Sequence, residues 1–503
     1  MKIRKSFRLS YLPPLMIYFA AGISGFTGIV ESFFVKDYLD LSAASLAALS
    51  FWVGLPWALK MPLGHIADIF WPWKSVMVYL GAVLMAAGIL IMIGLTGYPQ
   101  FMVRYMTLDA WYILSSLLAP IGFVMQDVVA DAMTVEAVPT FDQKGQLIPE
   151  KDVKEMHVTM QTLGRVAAVG GTAIVAGAGG WLAQSLSFKA MYEISLVLPF
   201  ISVSGVILGH IMAGKKRRRL ADQGFSRNRI DKMMRAKVET TPVNWLILAG
   251  SAVFILIALY FGLSNFNLKE ELVFAVSLGA VIFLMRQIFK DIHASKRQEI
   301  LSIALIIFVF RAMPNFGAGS SWWQIDILGF DERFFGTLRQ ISSVLAIVGM
   351  LVLRKWIAKH SLPFIVVFLT VFNAVLILPF IGIFYGLSQW TQLYLGFGAR
   401  AIALIDTATA SPLGYVAMIP MLAWIAENAP VNQKATYFAV LTAFANLALS
   451  ASSLLTEYIN NIFSIQRGSY ANLGHLMIFV TVIGVLVPIA TVLFFHPGRE
   501  SLT

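Results

Sequence analysis

Apolar runs of about 20 residues recur from one end of this 503-residue chain to the other, and no other feature limits its folds so strongly. At 1.5 Å per residue, a helix of that length crosses the roughly 30 Å hydrocarbon core of a bilayer. With 58% hydrophobic and 13% charged residues, the chain carries far more apolar sequence than a soluble domain needs. The expected class is an all-α polytopic membrane protein. Six spans are read at about 12–35, 43–63, 75–96, 109–136, 158–183 and 190–212, and two more at about 243–263 and 271–290. Six others follow at about 299–323, 334–353, 362–386, 396–426, 433–458 and 473–495, about fourteen in all. An even number puts both termini on one side.

A net charge of +11 invites a nucleic-acid reading, but the cations gather in loops that fall on one side of the membrane. That is the positive-inside pattern, and it predicts cytoplasmic termini in a cell membrane (bacterial inner or plasma membrane) and no nucleic-acid partner. Lys2, Arg4, Lys5 and Arg8 precede the first span without a small-residue cleavage site, so they read as an anchor rather than a removable signal. Lys215-Lys216-Arg217-Arg218-Arg219 opens a basic stretch that continues to Lys237 and reads as a solvated topology signal. The chain has no cysteine, which excludes disulfides and thiolate chemistry, and its seven histidines lack ligand spacing. No metal site and no cofactor is expected.

The fourth span carries the chemistry. A carboxylate inside a bilayer is expensive unless it is paired, protonated or faces water. Asp127 and Asp131 stand four apart and therefore share a helix face, while Glu136 lies about 140° round from Asp131. The aspartate pair is expected to face a cavity and Glu136 to work at the membrane edge. Two like charges on one apolar face repel, which suits one of them to binding and releasing a proton. The alternative is a buried pair satisfied by hydroxyls or an arginine. Glu31 in the first span is a further cavity-facing candidate. Intramembrane cations are Arg165, Arg311 and Arg400: Arg311 and Arg400 are candidates for substrate binding or proton coupling, and Arg165 is expected to pair internally with Glu136 in a gating or structural role. Arg311 precedes Pro314 and Gly317, residues able to break a helix at a binding site. Trp322 and Trp323 could stack on a flat ring or anchor the interface. The run from Gly170-Gly171 to Gly179-Gly180 lies on an apolar helix and predicts tight packing, not a phosphate loop.

The two ends of the chain also echo one another: Glu136-Ala137-Val138-Pro139 in the first, Glu427-Asn428-Ala429-Pro430 in the second. Two similar six-helix halves are the arrangement of the major facilitator superfamily, with the substrate site expected near the midplane. The expected layout is an N-terminal half over 1–213, a basic cytoplasmic loop over 214–242, an inserted helix pair and basic turn over 243–298, and a C-terminal half over 299–503. The inserted pair is expected at the periphery.

At the second span, Leu55-Pro56-Trp57-Ala58-Leu59-Lys60-Met61-Pro62-Leu63-Gly64-His65-Ile66-Ala67-Asp68 resembles the Pro-Trp-x-x-Lys-Pro-x-x-Gly-x-x-x-Asp signature of the folate-biopterin transporter family. Asp127-Val128-Val129-Ala130-Asp131-Ala132 and Phe33-Phe34-Val35-Lys36-Asp37-Tyr38-Leu39 resemble that family's fourth helix and the end of its first. In the second half, Arg311-Ala312-Met313-Pro314, Leu328-Gly329-Phe330, Met418-Ile419-Pro420-Met421 and Ala435-Thr436-Tyr437-Phe438-Ala439 continue the resemblance. The loop after Asp68 carries one basic residue, Lys74, where the family usually has an arginine run, and Met313 stands where threonine is common.

The resemblance implies a secondary transporter and not an enzyme, proton-coupled, monomeric, with membrane lipid around it and a folate- or pterin-like solute as substrate. Asp131 would then couple protons or bind the pterin edge, Asp127 would tune it, and Arg311 would hold a folate glutamate tail. Pro56, Trp57, Lys60, Gly64 and Asp68 would form a gating and structural motif, in which Gly64 permits close helix approach and Asp68 latches one conformation. Related permeases for other organic anions (muropeptide, nucleotide-conjugate or siderophore-like) are the nearest alternative. A different class is an intramembrane Mg²⁺-dependent prenyltransferase, in which Asp127 and Asp131 hold a diphosphate through the metal; no second facing acidic cluster accompanies them.

Overall fold

A computed structural model describes residues 8–58, 60, 63, 66–67, 73–139, 141, 146–234, 245–264, 266, 268–290, 293–357, 360–413, 421 and 434–495. The described chain is helical, with no named strand. Eight of its helices are long and apolar enough to cross a membrane. Others that the sequence reads as spans are interrupted: the one expected at 299–323 is two helices separated by residues 312–317.

The chain divides into two compact units, residues 1–31 with 62–248 and residues 32–61 with 249–503. In the first, α1 (Leu12–Ile23) and α2 (Gly28–Tyr38) are joined by a 3₁₀ turn at Ser24–Thr27, and the unit boundary falls inside α2. The segment after Glu31 groups with the second unit, a different cut from the halves read in the sequence. That segment includes α3 (Ala43–Ala58).

α4 (Lys74–Gly97) and α5 (Leu108–Ala137) pack along their length in the first unit. Lipid tails are as apolar as leucine, so helices in a membrane adhere by close packing and polar contacts rather than by the hydrophobic effect. Both occur here. A Cβ on Gly81 would lie 2.6 Å from the Gly122 carbonyl oxygen, and one on Gly122 would lie 2.4 Å from that of Gly81. Gln126 donates to Val78 O at 3.1 Å and Ser115 to Gly88 O at 2.9 Å.

The long α6 (Glu150–Ser185) crosses α1 by the same means. Gly171 and Gly179 meet the backbone of Gly22 and Phe26, and the Thr172 hydroxyl donates to Gly22 O at 3.0 Å. After α7 (Phe188–Ser195), α8 (Val197–Asp222) extends through the basic block, and α9 (Arg227–Met234) turns back on it. The basic stretch is thus helical over 214–222 and 227–234 where the sequence suggests a loop. Leu220, Ile230 and Met233 are buried together there, and that apolar contact orders the hairpin.

In the second unit, α10 (Trp245–Leu263) and α11 (Lys269–Ile288) form the inserted pair. α11 packs on α19 (Lys434–Ile462) and on α3, and Trp52 Nε1 donates to Glu270 Oε1 at 2.8 Å. The pair therefore contributes to this unit's core. α12 (Ala294–Arg311), α15 (Leu362–Leu376) and α20 (Leu473–Phe495) complete that core with α19. The remaining helices are α13 (Ala318–Asp326), α14 (Glu332–Ile357), α16 (Leu378–Phe384), α17 (Leu387–Leu395) and α18 (Ala399–Ala410).

Candidate functional site

In the first unit, α5 presents Asp127 and Asp131, both half-buried. The hydroxyl of Tyr18 on α1 donates to Asp131 Oδ1. The Tyr18 ring lies against Gly164 of α6, where a Cβ would come within 3.0 Å of the ring. The next residue, Arg165, and Asp127 both act electrostatically on Tyr18. Tyr18 of α1 and the two carboxylates of α5 therefore form one polar cluster, with the exposed Arg165 of α6 in its electrostatic reach. Asp131 thus meets a hydroxyl, as in the alternative of a pair satisfied from within the protein, and the donor is a tyrosine that carries no signal in an apolar run. The backbone of Glu136 belongs to α5, but its side chain lies outside the described residues, so its pairing with Arg165 goes undescribed.

A second cluster in the same unit surrounds Glu31. Tyr112 on α5 donates to Glu31 Oε1 at 2.9 Å, and the buried Tyr192 of α7 lies within the field of the same carboxylate. Glu31 is thus tied to α5.

In the second unit, Arg311 is the last residue of α12. It is half-buried, its Nη1 is 3.9 Å from Met421 Sδ, and its Nε has no hydrogen-bond partner among the described residues. Beyond it the backbone is not helical until Ala318. An exposed peptide group in hydrocarbon costs several kcal/mol, so such a break needs side chains to satisfy it. One face of α19 supplies them. Ser452 donates to Met313 O at 2.6 Å, and Thr456 Oγ1 accepts from Asn315 N at 3.0 Å. Asn460 packs on Gly317, whose φ of +73° and missing Cβ the turn requires.

Other residues singled out from sequence have structural surroundings. Trp322 and Trp323 are 2% and 3% exposed in the core of the second unit, so neither ring stands open to a flat ligand or to the interface. Trp323 packs on Phe380 and Phe384, and the Arg467 guanidinium lies over the Trp322 ring. Arg400 is exposed and bound to Asp331 Oδ2 at 3.0 Å and Gly329 O at 2.8 Å, which ties it to the loop before α14. Pro56 lies inside α3, with Trp57 beside it partly exposed, and Lys60 is half-buried. Gly64, Asp68 and residues 427–430 lie outside the described residues.

A cluster that sequence reasoning missed lies at the end of α2. Lys36 Nζ is 2.6 Å from Asp326 Oδ1 and 3.1 Å from Asp37 Oδ1, and the Tyr470 hydroxyl donates to Asp326 Oδ2. Arg467 donates to the carbonyls of Val35 at 2.9 Å and Leu41 at 3.0 Å. The only signal in the sequence was charge at span ends, which interface anchoring explains equally well.

Membrane-length helices in two units, with half-buried carboxylates and an arginine among them, have the architecture of the major facilitator fold. The solved structures agree on the fold. A peptide transporter POT bound to sulfate superposes with a TM-score of 0.61 at 15% identity, covering 97% of this chain and 94% of that one. The nucleoside transporter NupG does so with a TM-score of 0.57 at 11% identity, covering 97% and 100%. The BT1 family profile matches residues 21–500, and the chain belongs to that family. A curated relative, the folate-biopterin transporter of Synechocystis sp., is 23% identical over 484 residues, 94% of this chain and 79% of that protein. The protein is a multi-pass membrane transporter of a small molecule, not an enzyme.

Proposed function

We propose that this protein is a proton-coupled secondary transporter that carries a folate- or pterin-like solute into the cell. The observation that carries this reading is the Tyr18–Asp131 hydrogen bond, with Asp127 one helical turn before it. A carboxylate held by one phenol and set beside a second carboxylate is suited to exchanging a proton as its surroundings change. An ionised aspartate also accepts the paired N–H donors of a pterin edge. Arg311 offers the complementary chemistry in the second unit, since its planar fork suits the glutamate carboxylates of a folate tail and its Nε has no partner among the described residues. The likeness to the folate-biopterin transporter of Synechocystis supports the same substrate class.

The test is uptake of labelled folate into proteoliposomes with an imposed inward proton gradient. Gradient-stimulated uptake competed by unlabelled biopterin is the expected result. Asp131→Asn should abolish the stimulation while leaving exchange of bound substrate, and Tyr18→Phe should move the pH profile of uptake. Full gradient-driven uptake by Asp131→Asn would overturn the coupling role. Equal loss of folate and tail-less biopterin binding in Arg311→Ala would overturn the tail role.

A further inference from the structure

The hairpin α8–α9 carries the densest charge in the described chain. Residues 215–234 hold eight lysines and arginines against two carboxylates, Asp222 and Asp231. A run of this kind commonly does no more than fix topology, and then a solvated loop is enough. This one folds as a helical hairpin with its own apolar seam. α8 ends in a left-handed turn at Gly224, whose φ is +81°. Phe225 N donates to Leu220 O at 3.2 Å across that turn, the long-range bond of a Schellman stop. α9 then folds back and buries Ile230 and Met233 on Leu220 and Phe225.

The apolar seam fixes which cations are spent inside the hairpin. Arg217 pairs with Asp231 at 2.6 Å, and Arg229 lies over the Phe225 ring. Lys215, Lys216, Arg218, Arg219 and Arg227 are exposed and have no ion-pair partner among the described residues. The block begins three residues after Met212, so its first cations stand directly beyond the apolar part of α8.

We propose that this hairpin is a docking surface for anionic lipid headgroups, with Lys215, Lys216, Arg218 and Arg219 holding their phosphodiester oxygens. Basic clusters directly beyond a membrane helix attract anionic leaflets, and the attraction fades within a Debye length. The surface lies on the membrane's own helix, which selects lipid over a soluble polyanion. Arginine's fork and lysine's point charge both suit phosphate oxygens.

The test is the lipid retained by purified full-length protein after exchange into phosphatidylcholine, phosphatidylglycerol or an equal mixture, read by native mass spectrometry. The expected result is several-fold enrichment of phosphatidylglycerol over phosphatidylcholine, lost at high salt. In the variant Lys215→Gln/Lys216→Gln/Arg218→Gln/Arg219→Gln the enrichment should vanish. Arg218→Gln/Arg219→Gln serves as a milder variant, with partial loss expected, where the fourfold change prevents insertion. Equal retention of the two lipids, or enrichment undiminished in both variants, would overturn the proposal. Displacement of the lipid by millimolar inorganic phosphate would assign the surface to a soluble phosphate instead. None of these readouts depends on the transported substrate.

Discussion

Lys36 Nζ lies 2.6 Å from Asp326 Oδ1, joining the end of α2 to the end of α13. Their side chains are 14% and 29% exposed, whereas the flanking Asp37 is 44% exposed. Solvent screens an exposed pair to about 0–1 kcal/mol, while breaking a buried one costs about 3–5 kcal/mol. The Lys36–Asp326 pair falls between these limits. A double-mutant cycle with Lys36→Met and Asp326→Asn should give a coupling of about 1–3 kcal/mol in thermal unfolding. The same cycle with Asp37→Asn should give under about 1 kcal/mol.

Tyr470 shares that carboxylate and sits in the connection between α19 and α20. Burial, followed by its hydrogen bond to Asp326, pushes its hydroxyl from 10.0 up to about 12. The folded state holds this proton more tightly than the unfolded chain does. The resulting stabilisation is complete below pH 10.0 and is lost as pH rises through about 12. Absorbance titration of wild type against Tyr470→Phe should show the missing phenolate step near that upper value. A step near the ordinary tyrosine value would refute the assignment.

Thr456 holds the broken helix by accepting from Asn315 N. Thr456→Val keeps the shape and strands that N–H, a loss of about 1–3 kcal/mol. Thr456→Ser retains the acceptor and should stay close to wild type. Thermal unfolding in detergent distinguishes them, and equal destabilisation by both would show that the methyl group matters more than the hydroxyl.

Gly81→Ala drives a Cβ to within 2.6 Å of a carbonyl oxygen on α5, so the helices must part. Overpacking of this kind costs about 1–3 kcal/mol. Gly170→Ala, with no atom within 4 Å of its Cβ, should be neutral or slightly stabilising. The contrast separates glycines that set helix spacing from one that does not, within a single fold.

Much of this was legible in the sequence, for physical reasons that differ by element. Asp127 and Asp131 stand out because hydrocarbon tolerates few carboxylates, and a spacing of four fixes their shared face. The glycine run on α6 signals close packing because nothing else explains it on an apolar helix. Tyr18 was illegible: an aromatic residue in an apolar run is ordinary, and only the fold brings it to Asp131. Lys36 and Asp326 are individually unremarkable and far apart in the chain, so spacing carries no information about their meeting. Trp322 and Trp323 misled because span-end tryptophans usually meet the interface, whereas these are covered by Phe380, Phe384 and Arg467. The helical hairpin in the basic stretch was hidden by charge, which masked the apolar spacing of Leu220, Ile230 and Met233.

The assignment of α3 to the second unit has a consequence for how the protein is made. α3 packs on α19, whose described residues run from Lys434 to Ile462. At about 5–20 residues per second, the ribosome delivers that partner tens of seconds after α3 has left the exit tunnel. Through that interval α3 has lipid or the insertion machinery for company. The second unit is therefore stitched together from segments far apart in the message, and it closes only after α19 has been made.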